Sequence, residues 1–275
     1  MHNDHLYMAQ ALRLAEKGLY TTTPNPHVGC VIVQDEQIVG EGWHQRAGLP
    51  HAEVYALQEA GDLAFGATAY VTLEPCSHTG RTPPCVDALI KAGVARVVCA
   101  MEDLNPLVAG KGLAKLQAAG IAVTVGVLQA QAHVLNIGFI SRMTRQRPWV
   151  RTKIACSVDG KTALHNGQSQ WITGAAARQD VQRWRAQSCA IITGSATVLQ
   201  DQARLTVRDL GATPIVRQPL RILVDSQHRV PLDAPFYQAD APYLRATTHA
   251  EELMPDALQH TLICGQTTEG KVDLL

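Results

Sequence analysis

A chain of 275 residues, 46% hydrophobic and 17% charged, is long enough to bury two cores and too apolar to be read as disordered. Its formal net charge of zero argues against a uniformly basic nucleic-acid binder, and no run approaches the roughly 18 apolar residues of a membrane span. The zero hides an uneven distribution. Residues 1–150 carry 11 Lys+Arg against 12 Asp+Glu, residues 151–221 carry 10 against 4, and residues 222–275 carry 3 against 8. The basic middle segment asks for an anion, and a small phosphorylated ligand satisfies it more economically than a nucleic acid. The N-terminus has no basic stretch followed by an apolar one, so a cytoplasmic protein is expected. Seven cysteines, an odd number, argue against a disulfide framework. Cys30, Cys99, Cys156, Cys189 and Cys264 sit in apolar runs and are expected in the core.

Asp4 is placed to cap a helix through about Lys17, with Tyr7, Met8, Ala11, Leu12 and Ala15 on one face and Gly18 as its stop. The pattern then changes. Val28–Val33 and Gln37–Gly42 flank Gln34-Asp35-Glu36 as the two arms of a hairpin. A helix over Ala52–Ala60, stopped by Gly61, precedes a buried strand over Ala67–Leu73. Helices over Pro84–Ala92 and Gly112–Ala119 then alternate with strands over Ala95–Met101 and Ile121–Val127, which builds a sheet with helices on its faces. A helical stretch near Gln129–Arg142 runs into RMTRQRP, a linker ending at Pro148, so residues 1–147 and 148–275 are expected to be separate domains. The second opens with a strand over Trp149–Val158 and a tight turn at Asp159-Gly160. A helix over Ala175–Ala186 follows, with strands over Cys189–Thr193, Leu220–Ser226 and Thr261–Cys264.

The chemistry concentrates in the first domain. His51 and Glu53 stand two residues apart at a helix start, a pair that chance alone supplies about 0.4 times in a chain of this composition. His249-Ala250-Glu251 repeats the letters with only Cys264 after it and reads as polar surface. For His51 the context is different: Glu74-Pro75-Cys76 ends a strand, and Pro83-Pro84-Cys85 leads into a helix. One histidine and two cysteines match a catalytic zinc site, which keeps its fourth position for water. Helix N-termini and the metal both favour the thiolate. Proline suits a first helical turn, which places Cys85 at the helix start. Glu53 is then free to take a proton from water, whose pKa zinc lowers from about 16 to about 7, and to pass it to a leaving nitrogen. A closed structural site, with His44 or His78 as fourth ligand in a non-enzymatic zinc-stabilised binding module, stays open at this point.

These residues resemble the zinc nucleobase and nucleoside deaminases, whose pattern is H-x-E followed by P-C-x-x-C. Here eight residues separate Cys76 from Cys85 rather than two, which counts against a tRNA adenosine or simple nucleoside deaminase. The longer form LEPCSHTGRTPPC, with PNPHVGCVIV and HAE before it, is similar to the bifunctional riboflavin-biosynthesis deaminase/reductases, and the resemblance covers essentially the whole chain. It implies a cytidine-deaminase-like α/β/α sandwich followed by a dihydrofolate-reductase-like α/β domain. The first would hydrolyse the 2-amino group of a diaminopyrimidinone ribosylamine 5′-phosphate. The second would reduce the ribosyl group to ribityl with NADPH.

By the same resemblance His51, Cys76 and Cys85 hold Zn2+, Glu53 is catalytic, and Asn25 and His44 face the deaminase substrate. No G-x-G-x-x-G follows a strand in the second domain, so the residues alone support only an anion-binding domain there. Its KIACSVDGKTA, SQWITG and GSATVLQDQARLTVR carry the resemblance to the reductase. This places Ala155, Trp171, Thr197, Asp201 and Ser226 at NADPH, and Ser169, Arg185, Leu205 and Arg208, with Lys153 nearby, at the ribose phosphate. The family's reductase runs beyond the position of Leu275 with a glycine-rich segment and more strands, so this domain is expected to be partial. A homo-oligomer with no nucleic-acid or membrane partner is expected.

Overall fold

Val31, Ile32 and Val33 are buried in succession, which only a strand covered on both faces allows. The structure, a computed structural model, describes residues 2–78, 83–105, 109–248 and 261–273. The His249-Ala250-Glu251 repeat and the Thr79 to Thr82 part of the loop between Cys76 and Cys85 lie outside the described residues. The chain divides into two compact units, Met1–Thr152 and Lys153–Leu275.

In the first unit, strands β1 (Gly29–Gln34), β2 (Gln37–Trp43), β3 (Thr68–Val71), β4 (Arg96–Cys99) and β5 (Ala122–Val125) form a sheet in the order β2-β1-β3-β4-β5. β1 pairs antiparallel with β2 and β3, while β3, β4 and β5 run parallel. The hairpin turn is the pair Asp35-Glu36, with φ of 46° and 62°, as a two-residue turn matched to strand twist requires.

Helices α1 (His2–Glu16) and α2 (Ala52–Ala60) cover this sheet. Gly29 backs onto Ala11 of α1, whereas Gly42, the ladder partner of Cys30, backs onto Ala52 of α2. Neighbouring strand residues point to opposite faces, so the two helices sandwich the sheet. α3 (Cys85–Ala92), α4 (Lys111–Ala118), α5 (Gln129–Leu135) and α6 (Ile137–Arg145) complete the unit. Asp4 lies inside α1 rather than at its cap. Its carboxylate accepts hydrogen bonds from Arg96 Nη1 at 2.9 Å, Arg96 Nη2 at 3.0 Å and Tyr70 Oη at 2.9 Å, a stronger use of a buried charge than one backbone N–H. The expected linker is also partly helical, because α6 runs on through Arg145.

The second unit holds a parallel sheet in the order β6-β7-β8-β9, made of β6 (Ala190–Gly194), β7 (Leu220–Val224), β8 (Tyr243–Thr247) and β9 (Thr261–Ile263), with α7 (Ala175–Gln187) and α8 (Ser195–Asp201). Its core gathers Val198, Leu205, Leu223, Val230, Ala234 and Phe236. Arg221 is fully buried there. Its guanidinium donates to the carbonyl oxygens of Arg204, Phe236, Ala239 and Ala241, with the Phe236 ring centroid 4.7 Å away.

The run Trp149–Val158 is not a strand. It has the β-rich composition of one, but it enters no ladder among the described residues, and Val150, Ile154 and Val158 are exposed. Cys156, within that run, and Cys189, just before edge strand β6, are exposed as a result, and Cys264 is half-buried; only Cys30 and Cys99 of the five expected core cysteines are buried. No helix among the described residues is long and apolar enough to cross a membrane.

Candidate active site and metal centre

The connection leaving the carboxyl end of β3 meets the starts of α2 and α3, at the end of the sheet where open α/β sheets bind ligands. His51 is the N-cap of α2, and Glu53 lies in that helix's first turn. Cys85 opens α3 after Pro84 at the N-cap, and Cys76 follows β3. Gly42 makes the meeting possible. A Cβ there would lie 2.1 Å from the Ala52 carbonyl oxygen, so β2 passes under the first turn of α2 only without a side chain.

His51 Nδ1 stands 3.1 Å from Cys85 Sγ and 3.6 Å from Cys76 Sγ, and the Cys85 N–H donates to Cys76 Sγ at 3.4 Å. All three donor atoms fall within 4.8 Å of one another. Zinc held tetrahedrally at about 2.3 Å from sulfur and 2.0–2.1 Å from nitrogen needs donors about 3.5–3.8 Å apart, so the set fits the ion. Among the described residues no fourth His, Cys, Asp or Glu joins the group. His44 packs its ring edge-on to His51 with centroids 5.3 Å apart, but both its nitrogens are engaged. Nδ1 donates to the Pro50 carbonyl at 3.1 Å, and Nε2 accepts from Asn25 Nδ2 at 3.0 Å. The closed four-ligand site therefore finds no support in either histidine considered for it.

Electrostatics agree with a metal centre. The neighbouring Cys85 thiol pulls Cys76 well below the ordinary thiol range, with His51 and the Cys85 N–H adding to it, and Cys85 is pushed up in turn. A cation between the two sulfurs would favour the thiolate of both. Hydrogen bonding to Cys76 raises His51, whereas burial lowers His44. Burial also raises Glu53, whose Oε2 is enclosed without any hydrogen-bond partner. An orphaned carboxyl oxygen is costly, and its position beside the three donors supplies the reason for tolerating it.

Two neighbours had no role in the sequence reading. Asn136, 2% exposed between α5 and α6, accepts the His27 N–H at 2.8 Å through Oδ1 and donates to the His27 carbonyl at 2.9 Å through Nδ2. It pins the loop that carries Asn25. Only an asparagine interrupting a helical period could have signalled this. Asp103, raised by burial, feels the charges of Glu74, His78 and Cys76, and accepts the Asn105 N–H at 2.8 Å. Its signal was a polar tract just after a parallel strand.

In the second unit Ser169 Oγ donates to Asp201 Oδ1 at 3.4 Å, so these two expected site residues meet. Trp171 is 70% exposed, which excludes a core role, and the Arg178 guanidinium lies 4.5 Å from its ring centroid. Arg185 donates to the Thr206 carbonyl at 3.0 Å, beside buried Leu205; burial and then the charge of Arg208 depress it. Neither arginine pairs with a carboxylate among the described residues. Two adjacent guanidinium groups without a carboxylate partner fit an anionic ligand. Lys153 and Thr197 are exposed, Ala155 is half-buried, and Ser226 Oγ accepts the Val272 N–H at 3.0 Å. No hydrogen bond among the described residues joins Ala155, Thr197 or Ser226 to the Ser169–Asp201 pair.

Residues 1–101 match the cytidine and deoxycytidylate deaminase zinc-binding region, and residues 148–275 match the RibD C-terminal domain. The riboflavin biosynthesis protein RibD of Escherichia coli is 53% identical, over 99% of this chain and 76% of its own length. The chain belongs to the RibD family. The RibD of Haemophilus influenzae is 50% identical over 99% of this chain and 74% of its own length. A solved structure of Acinetobacter baumannii RibD superposes with a TM-score of 0.91 at 50% identity, covering 98% of this chain and 76% of that one. A Thermotoga maritima protein described as a diaminohydroxyphosphoribosylaminopyrimidine deaminase/5-amino-6-(5-phosphoribosylamino)uracil reductase gives a TM-score of 0.85 at 39% identity, over 93% of this chain and 73% of that one. RibD membership makes the fold a cytidine-deaminase-like unit plus a dihydrofolate-reductase-like one, as the resemblance implied.

Proposed function

We infer that this chain is a bifunctional enzyme of riboflavin biosynthesis, with Zn2+ and NADPH as cofactors. Its deaminase acts on a small phosphorylated pyrimidine, 2,5-diamino-6-ribosylamino-4(3H)-pyrimidinone 5′-phosphate, and its reductase converts the ribosyl group to ribityl. We assign residues 1–147 to the first activity and 148–275 to the second, in a cytoplasmic homo-oligomer. The single observation that carries the deaminase reading is the buried, unpartnered Glu53 Oε2 beside the His51, Cys76 and Cys85 donors.

His51 and both cysteines would hold zinc, which when bound makes water acidic enough to be a nucleophile near neutral pH. Glu53 does the proton work. Its raised pKa lets the carboxyl take the proton of water and hand it to the departing amino nitrogen, so that an amidine carbon exchanges nitrogen for oxygen and ammonia leaves. Asn25 and His44, locked to one another, would present fixed polar groups to the pyrimidine.

In the second unit Ala155, Trp171, Thr197, Asp201 and Ser226 would hold NADPH, the hydride donor. Ser169, Leu205, Arg185 and Arg208, with Lys153, would seat the ribose phosphate. The planar guanidinium forks match phosphate oxygens two at a time. Replacing Glu53 by Gln tests the central claim. Ammonia release should fall about 10²–10⁴-fold with zinc still bound, and turnover close to that of the unmodified enzyme would overturn it.

A further inference from the structure

Glu74 has no part in the chemistry above, yet it is 3% exposed and its carboxylate is fully used. Oε2 accepts the backbone N–H groups of Asp103 at 3.1 Å and Gly110 at 3.0 Å, and Oε1 accepts those of Gly112 at 2.9 Å and Leu113 at 3.4 Å. Four N–H donors fill the roughly four acceptor directions of a carboxylate. They come from the connection between β4 and α4 and from the first turn of α4, where unpaired N–H groups favour a negative charge. The Glu74 N–H in turn donates to the Met101 carbonyl at 3.0 Å.

Gly112 adds a steric lock. A Cβ there would lie 2.1 Å from the Pro75 carbonyl oxygen and 3.0 Å from Glu74 Oε1, so the start of α4 is pressed against the Glu74-Pro75 backbone. The next residue is Cys76. On its far side Cys76 is tied to α3, its carbonyl accepting the Val86 N–H at 3.2 Å and its sulfur the Cys85 N–H at 3.4 Å. The segment is thus anchored at one end by α3 and at the other by Glu74, through the four bonds of its carboxylate and its N–H to Met101.

We propose that Glu74 is a positioning residue for the metal centre: it fixes the Pro75-Cys76 backbone against the β4–α4 connection, so that Cys76 Sγ reaches the ion together with His51 and Cys85. The proposal rests on the zinc reading. Glutamine cannot do the same work, because its NH2 would face N–H donors where an oxygen now accepts. The loss is then transmitted through Pro75 to the ligand, although Glu74 touches neither metal nor substrate.

The test titrates metal-free protein with zinc and with cobalt, follows zinc release to a chelator, and records the cobalt–thiolate absorption. Unmodified protein, Glu74→Gln, Gly112→Ala and Asp4→Asn are compared. Partners of metal ligands typically change affinity about 10–100-fold when replaced. Weakening of that size is expected for Glu74→Gln and Gly112→Ala, with a shifted cobalt spectrum in both. Asp4→Asn, which weakens the same unit away from the site, should lower the unfolding midpoint and leave zinc release unchanged. If Glu74→Gln holds zinc as tightly as the unmodified protein, with the same cobalt spectrum and only a lower midpoint, Glu74 is merely structural and the proposal fails. Should Glu74→Gln not fold, Gly112→Ala decides by the same criterion. Failure of the unmodified protein to take up zinc would overturn the metal reading itself.

Discussion

The two units build their sites in opposite ways. In the first, β1 is buried on both faces, and the candidate groups sit at helix starts, His51 and Glu53 on α2 and Cys85 on α3, with Cys76 in the connection between β3 and α3. In the second, edge strand β6 alternates exposed and half-buried residues, and several of the expected ligand groups are exposed: Lys153 in a run outside the sheet, Trp171 in a loop, Thr197 on a two-turn helix. A site made from core-facing helix ends is organised by folding itself. A site made from loops and cations would be organised largely by what it binds, because a ligand's negative charge would offset the repulsion between Arg185 and Arg208.

The largest effect that could break this comparison is removal of a metal donor. Cys85→Ser should abolish stoichiometric zinc and ammonia release and lower the thermal midpoint of the first unit, because Cys85 is buried and bonded to its partners. NADPH oxidation with the deaminated intermediate supplied directly should persist. Its loss would mean that the units are not independent, and metal analysis with a coupled absorbance assay reads both.

An intermediate effect is expected in the second unit. Arg185→Ala should raise the reductase KM about 10–100-fold, the range for losing a hydrogen bond to a charged group, while saturating phosphate or product should protect the unmodified unit against urea. An unchanged KM would remove Arg185 from the phosphate site and sink the ligand-organised picture.

The smallest effect sharpens the contrast through pH. Asp4 is held below the ordinary carboxylate range first by the Arg96 hydrogen bond, so its contribution is present above the unfolded value near 3.9 and is lost as pH falls through the folded one. Asp4→Asn should cost about 1–2 kcal/mol at pH 7, discounted because Arg96 is a third exposed, and less as the solution is acidified. Urea unfolding at pH 7 and pH 3 measures it; an equal cost at both would show that the ion pair contributes no charge-dependent stability.

What was legible in the chain follows the same division. The clustering of His51, Cys76 and Cys85 could be read because metal chemistry restricts residue types, and the hairpin could be read to within one residue, since Gln34, expected in the turn, ends β1. Residues acting through backbone groups far away in sequence left little trace. Asn136 spoils a helical period, and its partner is His27, 109 positions earlier. Glu74 was visible beside Cys76, but its four N–H donors come from residues 103 to 113. The Trp149–Val158 run has the residues of a strand, yet strand formation needs a hydrogen-bonded neighbour that composition does not supply. β8 was missed for the converse reason. Arg245, 4% exposed, interrupts its apolar pattern at a position that faces inward.

Arg221 is enclosed much as a crown ether encloses a cation, and every oxygen that coordinates it belongs to the main chain. Main-chain ligands are the same whatever side chains their residues carry. The stretch from Pro231 to Ala241 can therefore drift in composition at its outward positions, such as Leu232, Asp233 and Gln238, with little penalty, apart from Phe236, whose ring closes one face of the guanidinium. Its length has no such freedom, since one inserted or deleted residue would rotate carbonyls out of the ring and leave a bare charge in the core.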